Sequence, residues 1–364
     1  MKTILFQLNH PAHYHLFKNP INILKESGHN IIISIKHKDI LMDLLDGTHY
    51  YIISDSYRKN DFFSIAASVA KRDIALFKLI KKVKPDLMVG TSPEIGQISK
   101  ATSTPAIFFG EDDVLISKTM FIGALTCYPL FRSIVSPEGC NNSIWNSKTV
   151  FYKGFQKLSY LHPNWFKPDI RRVLSVKDNP YFIIRLSKLG AYHDINAEGI
   201  TDQLAITLIK ILRGYGQILI TSERDLPREL EEYRFSGNIH DIHHYLAFAD
   251  LYIGDSQSMA VEAAILGTPG IRYNNFIGKI SVLEELEKKY QLGFGIKSNS
   301  EEALIDKVRS ILNNSNIRSI YRERRNKLLA DKIDVASFFA WLIGNYPNSI
   351  KEFNENPSIQ SQFQ

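Results

Sequence analysis

The stretch 249-ADLYIGDSQSMAVEAAILGTPGIRY-273 decides the fold of this chain. Its apolar run 251-LYI-253 is typical of a strand buried on both faces, and Asp255 ends that strand. Small polar residues then open a helix, and 267-GTP-269 forces a tight turn into a second strand. A strand, a helix and a second strand in this order form a βαβ unit, which requires a parallel sheet.

The same alternation extends over the rest of the chain. In the first half the predicted strands are Thr3–Leu8, Asn30–Ile35, Tyr50–Ile53, 85–90 and 105–110, and the predicted helices are Leu16–Ser27, Lys38–Asp46 and Phe62–Lys82. In the second half the predicted strands are 181–186, 217–222, 251–255 and 269–273, and the main predicted helices are Gly199–Gly214, Ser258–Leu266, Val282–Tyr290 and Glu301–Asn313. Two successive doubly wound parallel sheets of the α/β class are therefore predicted.

The length of 364 residues is too great for one ordinary core and suits two domains. Between Lys153 and Pro180 the composition changes, because several prolines stand among aromatic residues. We interpret this segment as an interdomain connection. The predicted boundaries are residues 1–155 for the first domain, 156–180 for the connection, 181–334 for the second domain and 335–364 for a C-terminal helix with a tail.

Composition excludes several classes of protein. Hydrophobic residues make up 44% and charged residues 23% of the chain, as in globular proteins, so a disordered or fibrous chain is not expected. Cys127 and Cys140 show no metal-ligand spacing and suggest neither a disulfide scaffold nor a zinc finger, which fits a reducing cytosol. The N-terminus lacks the long apolar core of a secretion signal, and the apolar stretch Met120–Val135 is too short and too interrupted to span a membrane.

The net charge of +6 comes mostly from dispersed lysines and arginines. The local groups Lys81, Lys82, Lys84 and 321-YRERRNK-327 are typical of solvated helix faces. A positive balance would favour phosphorylated substrates or an anionic membrane surface. Nucleic acid is not expected as a partner, since the basic residues are not interleaved with aromatic ones and no recognition motif accompanies them.

Ligands of open parallel sheets bind beyond the carboxyl ends of the strands, so polar residues at those ends are the candidates for function. The loop 9-NHPAHYH-15 follows the first strand and carries His10, His13 and His15. Three histidines could coordinate a metal, contact a substrate or act in catalysis, or they could belong to a loop that only caps and packs. Pro11 and the helix that follows favour a helix N-terminus suited to an anionic or hydroxylated ligand.

Two further loops of the first half carry carboxylates after strands. They are 90-GTSPE-94, with Ser92 and Glu94, and 110-GEDD-113, with Glu111 and Asp112. A carboxylate at a strand end could deprotonate an acceptor hydroxyl, but capping of a helix explains the same residues without catalysis.

In the second half, Arg185 and Ser187 close a strand and 188-KLGAYHD-194 follows. An arginine in an apolar strand is costly unless it is paired, and its guanidinium suits a diphosphate. Ser222 and Glu223 end the next strand, where Glu223 could instead form a surface ion pair with Arg224 or Arg228. In 240-HDIHH-244, Asp241 is expected to cap a short helix and His243 is a further candidate.

The strongest candidate for an anion site lies in the stretch 249–273 quoted above. Backbone amides of Ser256, Gln257 and Ser258 would stand at a helix N-terminus directly after Asp255. Glu262 follows Ser258 by one helical turn on the same face, where it could accept hydrogen bonds from ribose hydroxyls.

At these residues the sequence resembles the GT-B nucleotide-sugar enzymes, including the MurG-type glycosyltransferases and the UDP-N-acetylglucosamine 2-epimerases. Their shared signature is similar to 255-DSQSMAVEAAILGTP-269. From about residue 1 to 340 the chain also resembles an archaeal and bacterial GT-B-like family of unknown function. The matching stretches are 10–21 with Gly28-His29, 153–169, 183–194 and 255–269. That family carries an acidic residue where this chain has Lys157.

The resemblance implies GT-B architecture, with two Rossmann-like domains facing a central cleft and the last helix, Val335–Asn345, packing back on the first domain. It also implies a donor held by the second domain, with its phosphates on Ser256–Ser258 and its ribose on Glu262. The other donor contacts expected are Arg185, Ser187, Ser222, Glu223, His243 and Asp255. The expected acceptor contacts are His10, His15, Ser92, Glu94 and Glu111, and the candidate bases are His13 and Asp112.

The activity expected from the resemblance is metal-independent sugar transfer from a nucleotide-sugar in surface or envelope polysaccharide assembly. The acceptor would be a saccharide or a lipid-linked saccharide, and no cofactor beyond the nucleotide-sugar substrate is expected. The paired glycines of the epimerases are absent, since Gln257 and Ser258 occupy their places, which favours transfer. A 2-epimerase or hydrolase and a non-catalytic nucleotide-sugar-binding protein are the alternatives. The expected location is the cytoplasm, with peripheral association with the inner membrane left open.

Overall fold

In a computed structural model, residues 1–37, 39–54, 62–173, 176, 179–188 and 198–364 are described, with the backbone alone at residues 39–40 and 62–69. Residues 189–194 of the predicted loop 188-KLGAYHD-194 lie outside the described part. The chain divides into two compact units. Unit 1 comprises Met1–Tyr160 and Ile333–Gln364, and unit 2 comprises Leu161–Lys332.

Unit 1 is built on a parallel sheet of seven strands in the order β3-β2-β1-β4-β5-β6-β7. The strands are β1 Thr3–Leu8, β2 Asn30–Lys36, β3 Tyr51–Ser54, β4 Leu87–Gly90, β5 Ala106–Phe109, β6 Ser133–Pro137 and β7 Thr149–Tyr152. The helices before the chain enters unit 2 are α1 Pro11–Glu26, α2 Asp39–Leu44, α3 Phe62–Val83, α4 Pro93–Thr102, α5 Lys118–Cys127 and α6 Leu158–Leu161, which crosses the boundary between the units.

The core of unit 1 lies on both faces of this sheet. On one face, Leu5 of β1 joins a buried cluster with the apolar sides of α3 and α4. On the other face, the ring of Phe6 lies 5.4 Å from that of Phe17 of α1. Alternate side chains of a strand point to opposite faces, so both faces of β1 require apolar residues, and its segment Ile4–Phe6 is apolar and fully buried.

Unit 2 is built on a parallel sheet of five strands in the order β12-β11-β10-β8-β9. The strands are β8 Tyr181–Leu186, β9 Gln217–Ser222, β10 Leu251–Gly254, β11 Gly270–Tyr273 and β12 Phe294–Ile296. The helices are α7 Asp202–Leu212, α8 Arg228–Glu231, α9 Ile242–Phe248, α10 Gln257–Leu266, α11 Ser281–Glu284, α12 Glu301–Leu312 and α13 Ile317–Asp331.

The chain returns to unit 1 after Lys332. Two helices follow, α14 Val335–Gly344 and α15 Asn348–Glu355. Helix α14 packs against α1, and its Phe339 ring lies 4.7 Å from Phe109 of β5 and 5.1 Å from Tyr152 of β7. The last segment of the chain thereby completes the core of unit 1.

The predicted α/β class with two doubly wound parallel sheets is confirmed. Strands β8 and β9 have the predicted bounds, 181–186 and 217–222. The elements that were not predicted are the strands β6, β7 and β12 and the helices α5, α6, α8, α13 and α15. In the described part of the chain, no helix is both long enough and apolar enough to cross a membrane.

Candidate functional site

Each sheet has one point at which the strand order reverses. In unit 1 this point lies between β1 and β4, and in unit 2 it lies between β8 and β10. Adjacent connections leave the sheet on opposite faces there, which opens a crevice at the carboxyl ends of the two strands. The predicted loops 9–15 and 90–94 follow β1 and β4, and Arg185 and Asp255 end or follow β8 and β10.

In unit 2 the carboxylate of Asp255, which follows β10, binds the backbone that follows the neighbouring strand β8. Its oxygens accept hydrogen bonds from the amide of Ser187, at 2.7 Å, and from the amide of Ile200, at 3.2 Å. Burial raises the pKa of Asp255, while these amides act in the opposite direction. Asp255 therefore holds the backbone that follows β8 and is itself only 3% exposed.

The turn after Asp255 is fixed from both sides and opens α10. The Ser256 hydroxyl caps the helix by accepting from the amide of Met259, at 3.4 Å. Tyr252 donates to the carbonyl of Ser256, and Asn274 donates to the carbonyl of Asp255. The amides of Gln257 and Ser258, in the first turn, have no partner within the helix. Ser258 is exposed and Gln257 half-buried, so this N-terminus is open to an anion.

Two arginines flank this turn in the sheet. Gly254 pairs with Arg185 on one side and with Arg272 on the other, so both arginines share one face of the sheet. A Cβ on Gly254 would come within 2.3 Å of the Tyr252 hydroxyl, which means that only glycine leaves room for the tyrosine there. Arg272 is 1% exposed and bonded to Glu287 and Asn274. Arg185, with a side chain 17% exposed, is the accessible one of the two.

Arg185 donates to the carboxylate of Glu223, whose other oxygen accepts from the amide of Lys188. Glu223 thus pairs with Arg185 and not with Arg224 or Arg228, the alternatives that sequence suggested. Its side chain is 51% exposed, so an anionic ligand could compete with it for the guanidinium. Ser222 is engaged locally, since its hydroxyl donates to the carbonyl of Arg224.

Glu262, one turn into α10, lies 3.3 Å from Nε2 of His243 on α9. Both side chains are largely buried, at 13% and 11% exposure. Asp241 stands at the predicted N-cap position of α9, but its side chain makes no capping hydrogen bond and instead pairs with Arg172. The reason is that a cation from the preceding segment competes successfully for the carboxylate.

In unit 1, His13 of α1 is held between the ends of β1 and β4. Its Nδ1 accepts from the amide of Asn9 at 3.2 Å, and Thr91 Oγ1 lies 2.8 Å from Nε2. A neutral imidazole that accepts at Nδ1 carries its proton on Nε2 and donates it to Thr91. Asn9 in turn donates to Ser92 Oγ at 2.9 Å, so Ser92 belongs to the same network.

The other two histidines of this loop have different settings, and the ring of His10 lies 6.0 Å from that of His13. His10 caps α1 by accepting from the amide of Ala12, and it is exposed. His15 packs its ring 5.3 Å from that of Tyr160. In the described part of the chain no group of three or more His, Cys, Asp or Glu side chains is placed to hold a metal ion.

Each predicted carboxylate of unit 1 has a defined setting. Glu94 pairs with the nearly buried Arg72 of α3 at 2.7 Å, and Glu111 accepts from Lys157. Lys157 thus places a cation beside Glu111 and offsets its charge. Asp112, next along the chain, is exposed at the carboxyl end of β5.

Sequence reasoning missed the partners that come from remote elements, namely Thr91, Arg72 and Asn274. It also missed Gln7, which is fully buried and whose two amide atoms have no hydrogen-bond partner among the described residues. Gln7 lies opposite Gly90 of β4, next to the point where strand order reverses. The sequence signal that could have identified Gln7 is a glutamine within a largely apolar strand.

The fold is that of the GT-B proteins. The UDP complex of MnaA from S. aureus is 12% identical, with a TM-score of 0.70, and the match covers 96% of this chain and 98% of that one. The UDP-GlcNAc 2-epimerase from Neisseria meningitidis bound to UDP-GlcNAc is 13% identical, with a TM-score of 0.64 and coverage of 97% and 98%.

The glycotransferase of kitacinnamycin is also similar, at 11% identity with a TM-score of 0.63 and coverage of 94% and 98%. No curated protein matches the sequence. The family described as "Protein of unknown function (DUF354)" matches residues 3–333, which is most of the chain. The chain belongs to this DUF354 family.

Proposed function

We propose that this protein is a metal-independent glycosyltransferase that transfers a sugar from a nucleotide-sugar to a saccharide or lipid-linked saccharide acceptor. Unit 2 would bind the donor and unit 1 the acceptor. The observation that carries the proposal is the turn Asp255–Ser258, where an open helix N-terminus stands beside the accessible Arg185. Both features favour a diphosphate.

The reaction forms a bond between the acceptor oxygen and the anomeric carbon and breaks the bond from that carbon to the diphosphate. Negative charge develops on the leaving diphosphate. The amides of Gln257 and Ser258 and the guanidinium of Arg185 would stabilise that charge, since preorganised donors act best where charge develops. Glu262 would accept from the ribose hydroxyls, and His243 would hold the Glu262 carboxylate in position at 3.3 Å.

The proton of the acceptor hydroxyl must pass to a base, and two groups are proposed. His13 has both ring nitrogens engaged, by the amide of Asn9 and by Thr91, so it would accept a proton only after its Nδ1 leaves that amide. Asp112 is exposed at a strand end. The exposure of Asp112 to solvent supports it as the base, and the contacts of His13 support a role in positioning Thr91 and the acceptor.

Donor binding is tested with UDP-, GDP-, dTDP- and CMP-sugars by thermal shift and calorimetry, because a ligand of the folded state raises the midpoint. We expect one nucleotide class to bind. Arg185→Met should weaken it about 10- to 100-fold, through loss of a charge-assisted hydrogen bond of about 1.5–3 kcal/mol. The matched control is Arg309→Met, on the exposed face of α12, which should leave affinity unchanged. Equal affinity in both variants would overturn the donor site.

The base is tested by turnover of the nucleotide-sugar with saccharide acceptors. Asp112→Asn should lower kcat by about 10²- to 10⁴-fold, the usual contribution of a general base, with little change in donor affinity. His13→Asn should raise KM for the acceptor more than it lowers kcat. The reverse pattern would assign the base to His13.

A nucleotide-sugar 2-epimerase is the second candidate function. The similarity of the fold to UDP-GlcNAc 2-epimerases supports it. Incubation with UDP-GlcNAc alone, followed by NMR, distinguishes the two activities. Epimer formation without an acceptor would replace the transferase proposal.

For a transferase of surface or envelope polysaccharide, the place of action would be the cytoplasm, where nucleotide-sugars are made. A lipid-linked acceptor would bring the enzyme to the inner face of the inner membrane as a peripheral protein. Recovery of activity with washed membranes from a cell extract, and its release by salt, would support this location.

A further inference from the structure

A cavity of about 710 Å³ opens in unit 1. It lies at the end of the sheet where the strands begin, whereas His13 and Ser92 lie at the end where the strands finish. Its wall includes Pro105, which precedes β5, and Arg132, which precedes β6, so it lies at the amino ends of the strands. Small-molecule sites usually measure roughly 300–1,000 Å³. The cavity is therefore large enough for a ligand and separate from the acceptor site proposed above.

Two cations line this cavity, Lys100 and Arg132, and the lining includes no acidic residue. Within the described chain, neither Lys100 nor Arg132 forms an ion pair with a carboxylate. Burial raises the pKa of the Tyr346 hydroxyl and the nearby charge of Arg132 opposes that rise, and both cationic side chains belong to exposed residues. Their charges are balanced by nothing in the wall.

The surroundings add to this positive charge. Burial, followed by the charge of Lys100, lowers the pKa of Lys148, whose ammonium donates to the carbonyls of Tyr128 and Phe131 beside the cavity. Helix α3 packs on α4 and ends at the same edge with the exposed Lys81 and Lys82. Asp86, which precedes β4, also lies at this end of the sheet and accepts from the amide of Thr3. The cations outnumber it, and an excess of like charge creates a field that attracts anions.

The remaining wall has the chemistry of a site for a substituted anion. Ser103 and Thr104 contribute hydroxyl groups, and Phe131 and Leu130 form an apolar side. Arginine presents a planar fork of donors that fits phosphate oxygens, and lysine adds a point charge. We propose that this cavity binds the phosphate group of a phosphorylated ligand, through Arg132 and Lys100.

Two sources of such a phosphate group exist, a small soluble phosphate ester and the headgroup of a phospholipid. The chemistry at Arg132 and Lys100 is the same for both. The inference does not depend on the proposed transferase activity, because no residue of the donor or acceptor site lines the cavity.

The first test is calorimetric titration of the full-length protein with inorganic pyrophosphate at low salt. The Arg185→Met background is used, so that the proposed donor site does not obscure the result. We expect binding in that background and at least about a tenfold loss when Lys100→Gln and Arg132→Gln are added, as for loss of charge-assisted hydrogen bonds. No binding, or binding unchanged by these two substitutions, would overturn the proposal.

Two further variants separate binding from folding. Lys100→Arg with Arg132→Lys keeps both charges and should retain most of the affinity. Lys71→Gln with Lys78→Gln removes two exposed lysines of α3 outside the cavity and should leave it unchanged. Equal losses in the cavity pair and the α3 pair would show that only net charge matters and would overturn the site.

The second test identifies the source of the phosphate group. Wild type and the Lys100→Gln, Arg132→Gln variant are sedimented with vesicles of phosphatidylcholine, with and without phosphatidylglycerol. Reduced sedimentation of the variant, relative to the α3 control pair, assigns the site to a lipid headgroup. Equal sedimentation together with loss of pyrophosphate binding assigns it to a soluble phosphate. The proposed donor site is judged separately, by comparing how many pyrophosphate molecules bind to wild type and to Arg185→Met. Equal numbers would contradict the donor site and leave the cavity proposal unaffected.

Discussion

Two buried polar side chains near strand ends, Asp255 and Gln7, are there for different physical reasons. The carboxylate of Asp255 accepts from two backbone amides and so satisfies groups that the turn would otherwise leave unpaired. Gln7 is fully buried with neither amide atom bonded. A buried polar group without a partner costs free energy, so Gln7 weakens the fold where it stands.

We predict that Gln7→Leu raises the free energy of unfolding by about 1–3 kcal/mol, the cost of desolvating an unpaired polar group. Leucine keeps the approximate volume and removes both amide atoms. Urea unfolding measures the change, and Gln97→Leu, on the exposed side of α4, is the control with little effect. A loss of stability in Gln7→Leu would mean that the amide is hydrogen-bonded in solution.

His244 gives a prediction for pH dependence. Its Nδ1 accepts from the amide of Asp169 at 3.0 Å, and burial, followed by the charge of Arg172, lowers its pKa below 6.5. The unfolded chain therefore binds this proton more tightly than the folded protein. Stability from this group is present above pH 6.5 and is lost as the pH falls below that value. In His244→Phe, unfolding midpoints should fall less between pH 7 and pH 5; an unchanged slope would contradict the assignment.

Among the secondary-structure elements, apolar strands that end at polar residues could be predicted from the sequence. Strands β8 and β9 could be bounded because each run of apolar and β-branched residues lies between turn-forming positions. Strands β6 and β7 were not recognised from the sequence, and in the structure they pair in parallel with each other and with β5. Helix α13 is rich in charge and has no clear apolar period.

The same limit applies to the candidate site. The loops after β1, β4, β8 and β10 could be identified because polar residues follow buried strands there. Their contacts depend on residues that are far away in sequence, such as Arg72 for Glu94 and Lys157 for Glu111. No spacing rule joins such pairs, because tertiary packing alone brings them together.

In helix α10 the capping serine and an exposed serine of the first turn should differ in their effect on stability. Ser256→Ala removes the hydroxyl that caps the helix and should lower the free energy of unfolding by about 0.5–2 kcal/mol. Ser258→Ala, two residues on and exposed, should change it by less than about 0.5 kcal/mol. Urea unfolding of both variants provides the comparison. Equal losses would show that Ser256 does not act as the cap.

For the whole molecule, the two units differ in how the chain forms them. Unit 2 is one continuous segment, whereas unit 1 needs Ile333–Gln364 to return after unit 2 is complete. Helix α14 supplies Phe339, which is fully buried between Phe109 and Tyr152. Each unit has its own buried cluster, so a cavity made in one should weaken that unit first.

We therefore predict that Phe339→Ala lowers the stability of unit 1 by about 3–5 kcal/mol, since the truncation removes a buried ring and leaves a cavity. Hydrogen exchange should quicken in β1, β4 and β5 and stay unchanged in β8 and β10. Leu208→Ala, in the buried cluster of unit 2, is the reciprocal control and should quicken exchange in β8 and β10 alone. If either substitution quickened exchange in both sheets equally, the units would unfold together, and the C-terminal segment would stabilise the whole chain and not unit 1.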